Sequence, residues 1–273
     1  VSAPERDGEM SIGGRRLAWR ALGDGAPLLL VQGYAGTADD WHPDFLAALG
    51  HSFAVLAPDN RGMGASDLGA PAELTIDSMA ADLVALLDSL AIERIAVVGF
   101  SMGGFVAQAL ARLAPGRVEA LALLSTDPGG PDAVRGEAAD WNRLLDRSGT
   151  PRDCASRMFS VVFPPGVASR FDREFGDLVA AAQAALDPAA LAAQERAMAD
   201  WWAASPDGDG PSRVAPVLVG HGVEDVVIPV ANAELLAARF PAARVELFAG
   251  AGHAFPSQDP ERAAGLIDSQ LGA

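Results

Sequence analysis

Short apolar runs alternate with stretches of helical spacing along most of the chain. Leu28–Val31 ends at Gln32-Gly33, and Phe53–Ala57 ends at Pro58-Asp59; Ile95–Val98, Val118–Leu124, Pro216–Val219 and Val245–Phe248 are similarly short and apolar. Runs of this length bounded by turn residues predict buried strands of a parallel sheet. Between them, Ile76–Leu90 carries Ile76, Met79, Ala80, Leu83, Leu86, Leu87 and Leu90 on one helical face, with Thr75 placed to cap it. Met102–Leu113, Ala231–Arg239 and Pro260–Leu271 also read as helices. Ahead of this series, Glu9–Ile12 and Arg15–Ala21 flank Gly13-Gly14, the pattern of a β-hairpin.

The strand–helix rhythm pauses once, from about Gly129 to Pro211. The pause holds Ala-rich helical pieces (Ala133–Leu145, Asp172–Leu186 and Pro188–Ala203), separated by Pro164-Pro165-Gly166 and closed by the Asp-, Gly- and Pro-rich Ser205–Pro211. Helical pieces inserted at one point of a sheet suggest a cap with glycine- and proline-rich hinges. The expected architecture is therefore α/β, a mostly parallel, doubly wound sheet with an inserted helical cap. Residues 1–128 and 212–273 would form the core domain and residues 129–211 the cap.

Composition narrows the chemistry. Of 273 residues half are hydrophobic, enough for a packed core, and 20 basic against 36 acidic residues leave a net charge of −16. That charge argues against a nucleic-acid partner. All the basic residues are arginine, which excludes a P-loop lysine, a Schiff-base lysine and a Ser–Lys dyad. A single cysteine, Cys154, can form neither an internal disulfide nor a Cys-rich zinc site. The longest uncharged run, Ile95–Ala111, is 17 residues and is broken by Gly99, Gly103 and Gly104, so no membrane span is expected. The first residues lack the progression of a signal peptide, and the expected location is cytoplasmic.

The most informative stretch is Gly99-Phe100-Ser101-Met102-Gly103-Gly104, lying between an expected strand and an expected helix. A G-x-S-x-G sequence in that setting is a nucleophile elbow. Its serine sits on a sharp turn, its glycines let strand and helix approach, and the N–H after the serine is free to meet an oxyanion. Four other segments accompany it: Gln32-Gly33-Tyr34, Asp59-Asn60-Arg61-Gly62-Met63-Gly64-Ala65-Ser66, Gly222-Val223-Glu224-Asp225 with Pro229 beyond, and Gly250-Ala251-Gly252-His253.

On these segments the chain resembles the α/β-hydrolase superfamily from about Glu9 to Leu271, in particular its small capped bacterial serine hydrolases: enol-lactonases, esterases and cofactor-free haloperoxidases. The resemblance implies Ser101 as nucleophile, His253 as base and Asp225 as the acid that orients it, in the chain order Ser…Asp…His. It also implies an oxyanion hole from the N–H groups of Tyr34 and Met102. Gln32 departs from the family's usual His-Gly at that place.

Asp127 competes with Asp225, because some relatives take the acid from the strand that ends at Leu124; the G-x-x-D-x-x-x-P context favours Asp225. His51 reads as a surface residue and His221 as a structural one beside the site. His42, among Asp39, Asp40 and Asp44, lacks metal-ligand spacing, and neither metal nor cofactor is expected. Gly62-x-Gly64 has Asp67 where a dinucleotide fingerprint needs its third glycine.

Tyr34, Phe100, Trp141 and Phe255 are the expected substrate-binding residues, for a small and partly apolar molecule. The expected reaction is hydrolysis of a carboxylic ester or lactone of modest size through an acyl-enzyme. The alternatives are C–C bond hydrolysis or perhydrolysis with the same triad, and a non-hydrolytic biosynthetic or ligand-binding role.

Overall fold

The computed structural model describes residues 6–204 and 214–272. Eight strands form one sheet: β1 (Arg6–Ile12), β2 (Arg15–Leu22), β3 (Ala26–Val31), β4 (Phe53–Pro58), β5 (Ile95–Phe100), β6 (Val118–Leu124), β7 (Val217–Gly222) and β8 (Ala243–Phe248). Their order is β1-β2-β4-β3-β5-β6-β7-β8. The hairpin β1–β2 and the β2–β4 pair are antiparallel, and every pairing from β4 to β8 is parallel.

The two-residue period of the strands divides the core. Leu29 and Val31 of β3, Val97 of β5, Leu121 and Leu123 of β6 and Val219 of β7 face one side. That side is covered by α2 (Ile76–Ser89), α3 (Met102–Leu113) and α8 (Ala231–Arg239). Leu28, Leu30, Val98, Ala122 and Leu218 face the other side, under α1 (Pro43–Leu49) and α10 (Pro260–Leu271). Thr75 caps α2 in a reciprocal capping box with Ser78, as its position suggested. Below the N-terminal strands, Asp82 of α2 pairs with Arg61 and with Arg15, the latter at 2.8 Å. Asp82 and Arg61 are both buried.

Four helices lie between β6 and β7: α4 (Ala138–Leu145), α5 (Pro151–Val162), α6 (Pro165–Ala184) and α7 (Pro188–Ala203). Two departures from expectation have local causes. Helix α6 starts at Pro165 rather than Asp172, because proline at the first helical position forfeits only an N–H that would be unpaired anyway. Helix α5 is not among the helices that the sequence pattern predicts, yet Thr150 and Asp153 form a capping box at its start. The expected hinge Ser205–Pro211 lies outside the described residues. Among the described residues no helix is long and apolar enough to cross a membrane. A four-residue helix, α9 (Phe255–Gln258), precedes α10.

Candidate active site

Ser101 occupies the turn between β5 and α3 with φ 53° and ψ −123°, in the left-handed region that a side chain rarely adopts. Its neighbours hold it there. Ser101 N–H donates to Leu124 O at 2.9 Å, and Ser101 O accepts from Gly104 N–H and from Thr126 Oγ1, each at 2.8 Å. The flanking glycines answer to crowding. A Cβ on Gly103 would lie 2.0 Å from Val31 O, and one on Gly99 would lie 2.5 Å from Gly103 O. Only glycine lets α3 approach the ends of β3 and β5 this closely.

His253 lies in the loop between β8 and α9, and its carbonyl accepts from Ser125 Oγ at 2.7 Å. Its Nε2 is 3.0 Å from Ser101 Oγ, and its Nδ1 is 2.8 Å from Asp225 Oδ2. All three residues are buried. Asp225 follows β7, and its Oδ1 accepts from the N–H groups of Val227 and Ile228, both at 2.9 Å. Burial pushes the Asp225 carboxyl up, but the electrostatic pull of the His253 and His221 rings outweighs burial and holds it at about 2. Asp225 is therefore a carboxylate at neutral pH, and the proton between the two groups sits on Nδ1 of His253. That leaves Nε2 as the nitrogen able to accept from Ser101.

Asp127 is engaged elsewhere. Its carboxylate accepts from Trp202 Nε1 at 2.9 Å, from Trp201 Nε1 at 3.3 Å and from Gly129 N–H at 2.8 Å. Burial pushes this carboxyl up, against the pull of those donors. The exposed side chain of Glu224 is not part of the cluster. Nδ1 of His42 accepts from Asp44 N–H at 3.2 Å, capping α1.

The turn carrying Tyr34 lies against the serine: a Cβ on Gly33 would be 3.1 Å from Ser101 Cβ. Gln32 steadies it locally, its Oε1 accepting from Gly33 N–H at 2.9 Å while Asn60 Nδ2 donates to Gln32 O at 2.9 Å. Helix α7 holds the far side. Gln194 Oε1 accepts from the N–H of Ala35, itself at φ 59°, at 2.9 Å, and Tyr34 Oη donates to Glu195 Oε1 at 2.6 Å. Arg147 bonds both Tyr34 Oη and Glu195. Burial, then the hydrogen bond and charge of Glu195, push the Tyr34 phenol up, so it remains protonated. Neither Gln194 nor Glu195 carries a sequence signal; both belong to a helix whose residues read only as Ala-rich.

The other expected substrate residues separate. Phe100 lies beside the base, its ring centroid 5.2 Å from that of His253. Trp141 lines a cavity of about 440 Å³ between α4 and α7, together with Met198, Trp202, Glu195 and Arg135. Its indole N–H donates to Val227 O at 3.1 Å. Phe255 does not fit the expectation: it is 1% exposed and stacks on Phe248 with centroids 4.2 Å apart, which makes it part of the core under the sheet. An aromatic side chain next to the histidine loop signals burial as readily as a pocket wall, and here burial wins.

Comparison with known proteins agrees with this architecture. The non-heme chloroperoxidase of Streptomyces lividans is 30% identical over 87% of this chain and 88% of its own length. A hydrolase from Pseudomonas aeruginosa PA01 superposes with a TM-score of 0.82 and 30% identity, over 98% of both chains. A thermophilic esterase from Thermogutta terrifontis superposes with a TM-score of 0.78 and 29% identity, covering 98% of this chain and 96% of that one. Residues 26–260 match the family model for the alpha/beta hydrolase fold, and the chain belongs to that family.

Proposed function

We propose that this protein is a serine hydrolase that cleaves a carboxylic ester or lactone of modest size through an acyl-enzyme. One observation carries the reading: a strained serine 3.0 Å from an imidazole nitrogen whose partner nitrogen is 2.8 Å from a buried carboxylate. In the proposed reaction Ser101 Oγ attacks the carbonyl carbon while its proton passes to His253 Nε2. The N–H groups of Met102, at the start of α3, and Tyr34 receive the oxyanion; one such donor is worth about 2.7–4 kcal/mol in other hydrolases. The alkoxide leaves with the proton from His253. Water then attacks the acyl carbon, gives a proton to the same nitrogen, and releases the acid with Ser101 reprotonated.

In this reading the helical insertion is a cap, with residues 1–128 and 212–273 as the core domain. Helix α7 presents Gln194 and Glu195 to the oxyanion turn, and Phe100, beside the base, offers an apolar wall to an acyl or alcohol group of limited size. The esterase likeness supports the choice of bond. A fluorophosphonate probe tests the nucleophile, and p-nitrophenyl esters, lactones and a C–C cleavage substrate test the bond. Labelling of the wild type but not of Ser101→Ala, with turnover of an ester or lactone, is the expected result. An unlabelled wild type would overturn the serine mechanism; turnover of the C–C substrate alone would move the assignment to that bond.

A further inference from the structure

A second histidine touches the same carboxylate. His221, near the end of β7, is wholly buried, and its Nε2 lies 2.7 Å from Ile228 O and 3.3 Å from Asp225 Oδ2. Both neighbours are acceptors: a carbonyl cannot donate, and Asp225 is ionised. Nε2 therefore carries a hydrogen and donates it to Ile228 O, while Nδ1, at the other edge of the ring, has no hydrogen-bond partner among the described residues. A buried polar atom left unpaired costs about 1–3 kcal/mol, so an apolar side chain of similar size would suit packing alone better. The protonated edge of the ring meets the carbonyl closing the turn from Asp225 to Ile228 and lies beside the Asp225 carboxylate.

Resting on the serine-hydrolase reading, we infer that His221 is a positioning residue for catalysis: its Nε2–H ties Ile228 O and so fixes the turn that carries Asp225, and the same edge lies 3.3 Å from Oδ2, keeping that oxygen in line with His253 Nδ1 and offsetting part of the carboxylate's charge. The titratable groups bearing on Asp225 are His253, from the β8–α9 loop, and His221, from β7. With His221 removed, Asp225 directs its full charge at the His253 ring and binds the imidazolium more strongly. The base then becomes available only at higher pH. The carboxylate also gains freedom to rotate away from its line with Nδ1.

The experiment compares His221→Met, which removes the donor, with His221→Gln, whose amide nitrogen reaches the place of Nε2, and His221→Asn, whose amide nitrogen does not. Each is assayed for kcat and KM across pH on a p-nitrophenyl ester, with rates divided by the sites titrated with fluorophosphonate, so that misfolded protein does not count. His221→Met and His221→Asn are expected to move the acid limb of kcat/KM upward by about 0.5–1 pH unit, on the scale of one ordinary hydrogen bond. They should also lower kcat about tenfold with KM held, a loss of roughly 1.4 kcal/mol in transition-state binding. His221→Gln should keep the wild-type limb. If His221→Met does not fold, the contrast between the Asn and Gln variants decides. Acid limbs unchanged per labelled site would overturn the role of His221 while leaving the serine mechanism intact; a wild type that takes no label would overturn the mechanism itself.

Discussion

Replacing Asp225 by asparagine tests the proposed triad through hydrogen-bond direction rather than through bulk. Two main-chain donors, Val227 N–H and Ile228 N–H, point at Oδ1 from 2.9 Å each. In Asp225→Asn the amide oxygen must take that place, since an NH₂ there would face two N–H groups. The NH₂ is then forced to the position of Oδ2, 2.8 Å from His253 Nδ1. It presents a hydrogen to Nδ1, so Nδ1 must accept and the ring proton moves to Nε2. That hydrogen now faces Ser101 Oγ, and the nitrogen that should receive the serine proton is occupied. The same NH₂ also meets the Nε2–H of His221, adding a donor–donor conflict to the wrong tautomer. A tautomer reversal of this kind costs about 10⁴ in kcat in a serine triad, or roughly 5.4 kcal/mol of barrier. Steady-state hydrolysis of a p-nitrophenyl ester reads it directly, with Asp127→Asn as the control. Asp127 bonds Trp201, Trp202 and Gly129 and not the histidine, so its exchange should leave kcat within a few-fold of wild type. Asp225→Asn enzyme that kept a tenth of wild-type kcat, or an Asp127→Asn loss of equal size, would refute the argument.

Three other outcomes follow from the geometry. Ser101→Gly should melt above Ser101→Ala although neither turns over substrate: the strain of about 1–3 kcal/mol that glycine relieves at φ 53° exceeds the roughly 0.5–1 kcal/mol it loses in chain entropy, and a net gain of about 1 kcal/mol is roughly 2–4 °C by calorimetry. Asp82→Ala leaves Arg61 buried without its partner, and thermal unfolding should show a loss of about 3–5 kcal/mol. Gln194→Met removes the acceptor for Ala35 N–H, one residue beyond the proposed oxyanion donor Tyr34. It should lower kcat about tenfold with KM nearly constant, a fraction of what loss of an oxyanion donor costs; an unchanged kcat would show that α7 does not govern that turn.

Much of this molecule can be read from neighbouring residues. Helices α3, α8 and α10 run over the residues their apolar spacing and end signals indicate. Helix α7 begins at the Pro188 that opens its Ala-rich stretch. The elbow is equally legible, because Gly99, Ser101 and Gly103 record a backbone constraint inside one turn. Such patterns report local conformation and which face of an element is covered, both of which repeat along the chain with a fixed period. The meeting of distant side chains has no such period. Asp225 and Asp127 both follow strands and precede helices, and they part company because the order of β6, β7 and β8 brings the loop after β8 to the end of β7, while α7 carries Trp201 and Trp202 onto Asp127. The same packing sets His221 against Asp225, places Gln194 on the Tyr34–Ala35 turn and sinks Phe255 beneath the sheet. Contacts between residues far apart in the chain depend on how whole layers are stacked, and that information is spread over every buried side chain in the core.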